Sequence, residues 1–416
     1  MKDEKKAIWG WAFYDWANSA FATTVMAGFF PLFFKKFWAV NLSFQKSTFY
    51  LGTANSLSAV IIAVLAPFLG AAADKGSMKK KMLICFAFLG IVNTFSLFAV
   101  SEGEWLPALL FYFTAYAGFA GGNLFYDSLI TDVASIKKRD VVSSLGFALG
   151  YIGGGILFLT NVLMYLKPSF FGIPDSTTAV RIAFISVACW WAVFTIPLIL
   201  FVKEPKNEIH ISLIGSFHSG WKQLKDTFIH IKQYKQVVLF LIAYWFYIDG
   251  VYTIIKMAVD YGASMNFPSE SLIKALLLVQ FVAFPAALIY GWIGIRIGVK
   301  KALLTGIIAY CFITVFGFFM QEIWQFYTIA VLVGLFQGGI QALSRSFFAR
   351  LIPDDKSGEF FGFYNMLGKF AAVLGPFMMG LVALFSGSNR YSILSLIILF
   401  AAGALILTRV DSGRTT

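Results

Sequence analysis

The chain has 416 residues, of which 59% are hydrophobic and 13% charged, with a formal net charge of +12. Soluble globular domains carry about 25% charged residues, so a chain this apolar lacks the surface of a soluble protein. Its Lys and Arg residues lie in short clusters between apolar runs, without zinc-ligand spacing or an aromatic–basic motif, which argues against nucleic-acid binding. The composition indicates a protein whose main partner is the lipid bilayer.

Twelve apolar stretches follow one another, each long enough for a membrane-spanning helix, which needs about 20 residues. They lie at 8–34, 48–73, 82–100, 105–131, 141–166, 179–202, 236–262, 271–294, 301–320, 324–348, 359–386 and 391–409. One long polar link, 203–235, separates six spans from six. The sequence therefore predicts an all-α membrane protein with six-helix bundles at 1–202 and 236–416.

The polar link carries a helical pattern of its own. Over 212–234, apolar residues recur at helical spacing with Lys and His residues between them. This pattern predicts an amphipathic helix that lies at the membrane interface. A helix that binds a partner protein is the alternative.

Basic residues are distributed unequally between the two sides of these spans. With the N-terminus placed inside, 24 Lys and Arg residues lie on or near the inside and 8 on or near the outside, with Arg345 and Lys256 counted at the nearer end of their spans, and Lys369 lies near the middle of a span. Short loops rich in Lys and Arg stay in the cytoplasm. We therefore expect a multi-pass protein of the cell (inner) membrane with both termini cytoplasmic, working as a monomer.

Six charged residues interrupt the predicted spans. A charge near the bilayer centre costs about 3 kcal/mol on insertion scales, so such residues mark a polar path through the membrane. They are Asp15, Asp127, Asp249, Lys256, Arg345 and Lys369. Their presence predicts that the protein moves a solute across the bilayer.

These polar residues recur at helical steps of three and four, which places them on common helix faces. Such faces have to meet a cavity or another helix rather than lipid. The candidate binding and coupling residues are Tyr14, Asp15, Asn18, Asp127, Trp245, Asp249, Gln337, Gln341, Arg345 and Lys369. For Asp127 and Arg345, a gate or a structural ion pair is the alternative. Lys256 lies near the outer end of its span, where it could extend to the headgroups.

The signs of these charges suggest how a ligand would bind. A zwitterion would place its ammonium toward Asp15 and its carboxylate toward Lys369, with Trp245, Tyr14 and Gln341 around its body. A charge-assisted contact of this kind contributes about 1.5–3 kcal/mol. We therefore expect the binding site between the two halves of the chain.

The three histidines lie in the polar link, at positions 210, 218 and 230. A proton relay inside the membrane would therefore have to use carboxylates. Asp15 and Asp249 are the candidates to carry a proton, and whether transport is coupled to protons is left open.

The end of the second span has the pattern of a conformational latch. Gly70, Asp74 and Lys75 form a turn that is followed by a run of three further lysines. A partial repeat with Gly291 and Arg296 follows the eighth span. A similar order of features in both halves suggests a parallel structural repeat.

No catalytic or cofactor-binding pattern accompanies these features. The sequence has no phosphate-binding loop, so ATP is not the expected energy source, and its clustered histidines do not suit a catalytic triad. Cys85, Cys189 and Cys311 are scattered among apolar runs and fit neither a disulfide framework nor a metal site. We expect a protein that is not an enzyme and that has no cofactor.

Several stretches resemble one group of transporters. The Gly-x3-Asp-Lys turn after the second of twelve spans is similar to that of the major facilitator superfamily. The stretches that resemble its vacuole-effluxer branch, which includes the autophagy-related amino-acid exporters of fungi, are YDWANSAF (14–21), GFALGYIGG (146–154), YIDG (247–250), QGGIQALSRS (337–346) and GEFFG (358–362). The resemblance implies a facilitator fold with alternating access and, from the fungal members, amino-acid efflux. The short loops resemble those of a bacterial member.

Three functions compete on this basis. A secondary transporter of a small polar or zwitterionic solute would explain the charges within the spans and the similar order of features in the two halves. An exporter of amphipathic molecules, such as lysolipids or drugs, would suit the 18% of aromatic residues. A receptor or scaffold that does not transport would need a sizeable domain outside the membrane, and the predicted loops are too short for one. We therefore favour the first.

Overall fold

The computed structural model describes residues 2–42, 44–205, 213–265, 267–386 and 389–411. This part of the chain contains twelve helices that are long and apolar enough to cross a membrane. The twelve predicted spans are therefore confirmed, and so is the all-α class. The observed helix ends differ from the predicted ones by a few residues in either direction, because capping and packing, and not hydropathy alone, decide where a helix stops.

The first half consists of six membrane helices. They are α1 (Lys5–Trp38), α2 (Phe44–Gly76), α3 (Lys79–Ser96), α4 (Trp105–Ser128), α5 (Arg139–Leu166) and α6 (Ser176–Phe201). A linker helix, α7 (Leu213–Ile229), follows. The second half consists of α8 (Lys235–Ser264), α9 (Ser269–Ile297), α10 (Val299–Phe318), α11 (Ile323–Leu351), α12 (Ser357–Ser386) and α13 (Arg390–Thr408).

Both described chain ends lie at the same end of the helix bundle, which we call the terminal end. Lys2 forms an ion pair with Asp354 in the connection between α11 and α12, at 2.7 Å. At the other end of the chain, the N–H of Asp411 donates to the side chain of Gln236 near the start of α8, at 2.9 Å. Because the number of spans is even, the two ends of the chain have to lie on the same side of the membrane.

The two halves approach most closely where α2 meets α12. Gly70 lies against the backbone of Gly358, and a Cβ atom at either position would collide with the backbone of the other helix. A corresponding contact joins α5 to α9, where Gly291 packs on the side chain of Ser144. Small residues let helix backbones approach in this way, and the two contacts resemble each other as a parallel repeat predicts.

Prolines occur inside several of these helices, and Pro376 in α12 matters most for the site. Proline has no N–H, so the carbonyl one turn earlier loses its helical partner and the helix bends there. In α1, π-helical turns occur at Phe21–Phe29 and Phe34–Trp38. Both distortions lie in helices that carry candidate site residues.

The linker helix α7 packs on α2 rather than lying free at an interface. Gly220 contacts the backbone of Ala72, and the Trp221 ring lies 6.1 Å from that of Phe68. Leu224 is buried but Trp221 is exposed, so the predicted apolar stripe is divided between a packed side and an open side. The predicted amphipathic stretch begins at 212, which lies, with all of 206–212, outside the described residues.

Candidate functional site

Arg345, on α11 of the second half, inserts its side chain into the first half. Its polar contacts join the two halves. Its Nε and Nη2 atoms donate to the hydroxyl and the carbonyl of Ser143, both at 2.9 Å. Its Nη1 atom donates to the carboxylate of Asp127 at 3.1 Å, and the side chain is only 2% exposed. The predicted pair of Asp127 and Arg345 therefore joins the two halves.

Three aromatic rings of the first half enclose the same guanidinium. Its Cζ atom lies 4.8 Å from the ring centroid of Trp11, 5.2 Å from that of Tyr126 and 4.3 Å from that of Phe147. A cation over an aromatic face is attracted by the ring quadrupole, more strongly where water is excluded. The contacts of the Arg345 guanidinium are thus all with the protein itself, and they join the two halves.

Asp15 of α1 lies at the edge of this cluster. Its Oδ2 atom is 3.9 Å from Nη1 of Arg345 and accepts a hydrogen bond from Tyr126 at 3.3 Å, while Oδ1 accepts one from Ser19 at 3.2 Å. Its side chain is 14% exposed, as is that of Asp127. These contacts are longer than those of Asp127, and they leave Asp15 able to accept a further donor.

Helix α12 brings two polar side chains to the same region. Asn365 donates to Oδ2 of Asp127 at 3.1 Å. One turn further, the Nζ atom of Lys369 lies 5.4 Å from the ring centroid of Tyr116 in α4. Lys369 forms no hydrogen bond or ion pair with any other residue that the structure describes, so its charge is not neutralised by a contact. The mid-membrane position predicted for it is consistent with this placement.

Asp249 lies apart from the cluster. It is completely buried, and its Oδ1 atom accepts the N–H of Gly375 in α12 at 2.9 Å and the hydroxyl of Thr253 at 3.2 Å. The structure therefore does not bring Asp249 into contact with Asp15, as a shared cavity face would require. Lys256, two turns further along α8, is exposed.

The other candidate residues brace the site. Asn18 donates to Asn123 of α4, and the Tyr14 ring packs 5.3 Å from that of Tyr126. Gln341 accepts a hydrogen bond from Tyr151 of α5 at 2.9 Å and so forms a further bridge between the halves. Four candidate atoms are buried without a hydrogen-bond partner in the described part of the chain: the Tyr14 hydroxyl, Nε1 of Trp245, Oδ2 of Asp249 and Oε1 of Gln337.

The predicted latch joins α2 to the start of α12. Asp74 accepts the N–H groups of Gly358 and Glu359, each at 2.9 Å, and so caps that helix. The bonds of Lys79, which was not predicted as part of the latch, are to Asp132 (2.9 Å), Ser357 (2.8 Å) and Asp74 (3.5 Å). Asp74 and Lys79 thus join α2 to the start of α12, and the conformational role of Gly70, Asp74 and Lys75 stays a prediction.

Two further ion pairs close the terminal end and were not predicted. Arg139 at the start of α5 pairs with Asp354 at 2.7 Å and also donates to the carbonyl of Ala349. Its neighbour Asp140 pairs with Arg350 of α11. All these residues lie at helix ends in different halves, so spacing within one helix gives no signal for their pairing.

The partial repeat after the eighth span does not form an equivalent latch. Arg296 stacks over the ring of Trp292 on its own helix, 4.3 Å from the centroid. Gly291 makes the close contact between α5 and α9 described above, but among the described residues no carboxylate beside it caps a neighbouring helix. Among the described residues there is also no group of three or more His, Cys, Asp or Glu side chains that could hold a metal ion.

A family model described as "Vacuole effluxer Atg22 like" matches residues 3–48, 39–135 and 130–416 of the chain. The MFS-type transporter YxiO of Bacillus subtilis (strain 168) is 42% identical over 421 residues, covering 100% of this chain and 97% of the relative. Autophagy-related protein 22 of Coccidioides immitis (strain RS) is 24% identical and covers 99% of this chain and 87% of the relative.

Solved structures of transporters share the fold. The human organic anion transporter MFSD10 superposes with a TM-score of 0.70 at 13% identity, covering 97% of this chain and 98% of that chain. The proton:xylose symporter XylE gives 0.70 at 14% identity, with 98% and 94% covered. FucP in its outward conformation gives 0.69 at 14% identity, with 98% and 99% covered.

Proposed function

The chain belongs to the vacuole effluxer Atg22-like family within the major facilitator superfamily of membrane transporters, and on this premise we propose that it is a secondary transporter of a small zwitterionic, amino-acid-like solute. The observation that carries the proposal is the placement of Lys369. Its ammonium group, on α12 of the second half, lies over the Tyr116 ring of the first half without an ion-pair partner among the described residues, one turn from Asn365, which bonds Asp127. An unpaired cation inside a membrane protein is expensive and usually functional.

The charges of the central cluster favour a ligand with no net charge. Asp15 and Asp127 contribute two negative charges, and Arg345 and Lys369 contribute two positive ones. Arg345 is committed to Asp127 and Ser143, whereas Asp15 and Lys369 are the less engaged pair. A zwitterion would meet both, with its ammonium at Asp15 and its carboxylate at Lys369.

Binding at Asp15 would also bear on the gate. The carboxylate of Asp15 lies 3.9 Å from Arg345 and contributes to holding that guanidinium in the first half. A ligand ammonium at Asp15 would compete for the same carboxylate and weaken this attraction. Because a ligand shifts a conformational equilibrium only through different affinities for the two states, such competition is a direct route from binding to opening.

The known relatives are compatible with this substrate class. The matched family is named for vacuolar efflux, and two structural relatives are an organic anion transporter and a proton:xylose symporter. We further propose that the terminal end faces the cytoplasm of a cell whose inner membrane holds the protein, because the sequence assigns 24 basic residues to that side and 8 to the other.

A ligand series measured by thermal shift tests the substrate class. Ligands that bind only the native state raise the melting temperature by mass action. We expect stabilisation by free amino acids, and less by their methyl esters, which lack the carboxylate, and by their N-acetyl derivatives, which lack the ammonium. Stabilisation by lysolipids or neutral amphiphiles alone would contradict the proposal and favour an exporter of amphipathic molecules.

A further inference from the structure

Three aspartates, each from a different helix, hold α12 at successive points. The bonds are those of Asp74 with the N–H of Gly358 (2.9 Å), of Asp127 with the Asn365 amide (3.1 Å) and of Asp249 with the N–H of Gly375 (2.9 Å). Helix α12 also carries Lys369, between the second and the third of these points. Whatever loosens one of the three bonds therefore acts on the helix that positions Lys369.

Only two of these aspartates have a cation in contact. Asp74 lies 3.5 Å from Lys79, and Asp127 lies 3.1 Å from Arg345. Asp249 has no cation within ion-pair distance among the described residues, its side chain is 0% exposed, and its Oδ2 atom has no hydrogen-bond partner. Burying a carboxylate anion without a cation beside it is costly, and a proton on the carboxyl group removes that cost.

The described residues of the elements packed around Asp249 bring no cation into contact with it. On its own helix, the charged neighbour is Lys256, two turns away and exposed. Helix α12 brings Lys369, whose ammonium lies over Tyr116 rather than at Asp249. Helix α13 packs the ring of Phe400 against Gly250 beside it.

The surroundings suit a proton better than a metal ion. A metal cation needs several oxygen ligands, whereas the described partners of Asp249 are the N–H of Gly375 and the hydroxyl of Thr253, both of which donate to Oδ1. Gly375 makes this approach possible, since a Cβ there would lie 2.7 Å from Oδ1 of Asp249. The unpartnered Oδ2 is left as the site for a proton.

We propose that Asp249 binds the coupling proton while the terminal end is closed, and releases it when α12 moves and the carboxyl group reaches water. The inference rests on the proposed transport function and assigns its coupling to Asp249 rather than to Asp15. Pro376, next to the bonded Gly375, has no N–H to donate to the helix, and helices yield most readily at such a position. Lys369 lies six residues away, or about 9 Å along the helix.

The sign of the pH dependence follows from this assignment. Because the closed form binds the proton more tightly, the ratio of closed to open molecules falls as the pH rises. For one linked proton the ratio changes at most about tenfold per pH unit. The amide of Asp249→Asn stands in for the protonated carboxyl and should keep the terminal end closed at every pH.

A distance measured without substrate tests the proposal separately from the transport function. Spin labels at Lys137→Cys and Lys301→Cys, exposed at the terminal end in the first and second halves, report its opening when the native cysteines are replaced by serine. We expect the fraction of short distances to fall with rising pH in this background. Asp249→Asn should abolish that change, and Asp15→Asn should retain it.

A second variant guards against misfolding of Asp249→Asn. Thr253→Val removes the hydroxyl that favours the carboxylate form and keeps nearly the same shape, so the midpoint of the pH curve should move to higher pH. A pH response that persists in Asp249→Asn, a midpoint that does not move in Thr253→Val, or a parent protein whose distances do not change with pH would each overturn the proposal. Failure of amino acids to bind would instead contradict the proposed function alone.

Discussion

The guanidinium of Arg345, on the second half of the chain, lies 3.1 Å from the carboxylate of Asp127 on the first. Both side chains are largely buried, so this bond crosses between the halves in a region of low dielectric. The bond of Tyr151 with Gln341 lies about one turn further into the bundle, and the other inter-half bonds described here, down to Lys2 and Asp354, lie nearer to the terminal end. The structure is therefore a conformation in which the terminal end is closed.

Replacing Arg345 with Gln should open the terminal end. The change leaves Asp127 and Asp15 without their cation, and breaking a buried pair from one side typically costs about 3–5 kcal/mol. We expect the distance between labels at Lys137→Cys and Lys301→Cys to lengthen. The matched control is Arg296→Gln, whose side chain only stacks on Trp292 and which should leave the distance unchanged. An unchanged distance in Arg345→Gln would mean that this bond does not hold the gate.

A methyl group at position 70 should have a similar effect through packing alone. Its Cβ would collide with the backbone of Gly358, which no side-chain rotation relieves. Overpacking of this kind costs about 1–3 kcal/mol, so we expect Gly70→Ala to lower the thermal stability of the closed form. The control is Gly52→Ala in the same helix, where a Cβ meets nothing within 4 Å. Equal melting temperatures for the two variants would contradict the close contact.

Lys79 should stabilise the latch far more than its neighbours in the lysine run. Its side chain is 7% exposed, bonds Asp132 and Ser357, and lies 3.5 Å from Asp74. Lys79→Met therefore leaves the buried carboxylates of Asp74 and Asp132 without this cation. We expect a loss of several kcal/mol in unfolding free energy, of about the size seen when one partner of a buried pair is removed. Lys81→Met removes an exposed lysine and should cost little. Restoration of stability in the double variant Lys79→Met with Asp132→Asn would support the pairing, and comparable losses in both single variants would refute it.

The orientation of the chain is testable by labelling in intact cells. Cysteines introduced at Lys81 and at Phe385 lie at opposite ends of the bundle, and both positions are exposed. With the terminal end in the cytoplasm, a membrane-impermeant maleimide should label Phe385→Cys and not Lys81→Cys until the cells are opened. Labelling of Lys81→Cys in sealed cells would reverse the assignment.

The spans could be predicted because they depend on local properties. Length and apolarity identify a membrane helix without reference to its neighbours, and the same holds for the six charges that interrupt the spans. Helical spacing also placed Asp249 and Thr253 on one face, and they do bond to each other. Helical spacing could not show that this face of α8 packs against α12 rather than facing a cavity between the two halves.

The contacts between the halves could not be predicted from one sequence. Ser143, Tyr126 and Phe147 surround Arg345 because α4 and α5 cross α11 at one level, and that crossing depends on how all helices pack. Likewise, the turn after α2 decides that Lys79 enters the latch, although four lysines follow Asp74 closely. The ion pair of Arg139 and Asp354 joins the start of α5 to the connection between α11 and α12. No periodic pattern in the sequence indicates that these two positions meet.

The central claim is that Lys369 receives the carboxylate of the substrate, and a double-mutant cycle between protein and ligand tests it most directly. Affinities of a bound amino acid and its methyl ester are measured for the wild-type protein, for Lys369→Met, and for the exposed control Lys301→Met. A charge-assisted contact contributes about 1.5–3 kcal/mol, so removing the carboxylate should cost tenfold or more in wild type and in the control. In Lys369→Met it should cost almost nothing. An equal loss in all three proteins would show that the carboxylate binds elsewhere and would contradict the account.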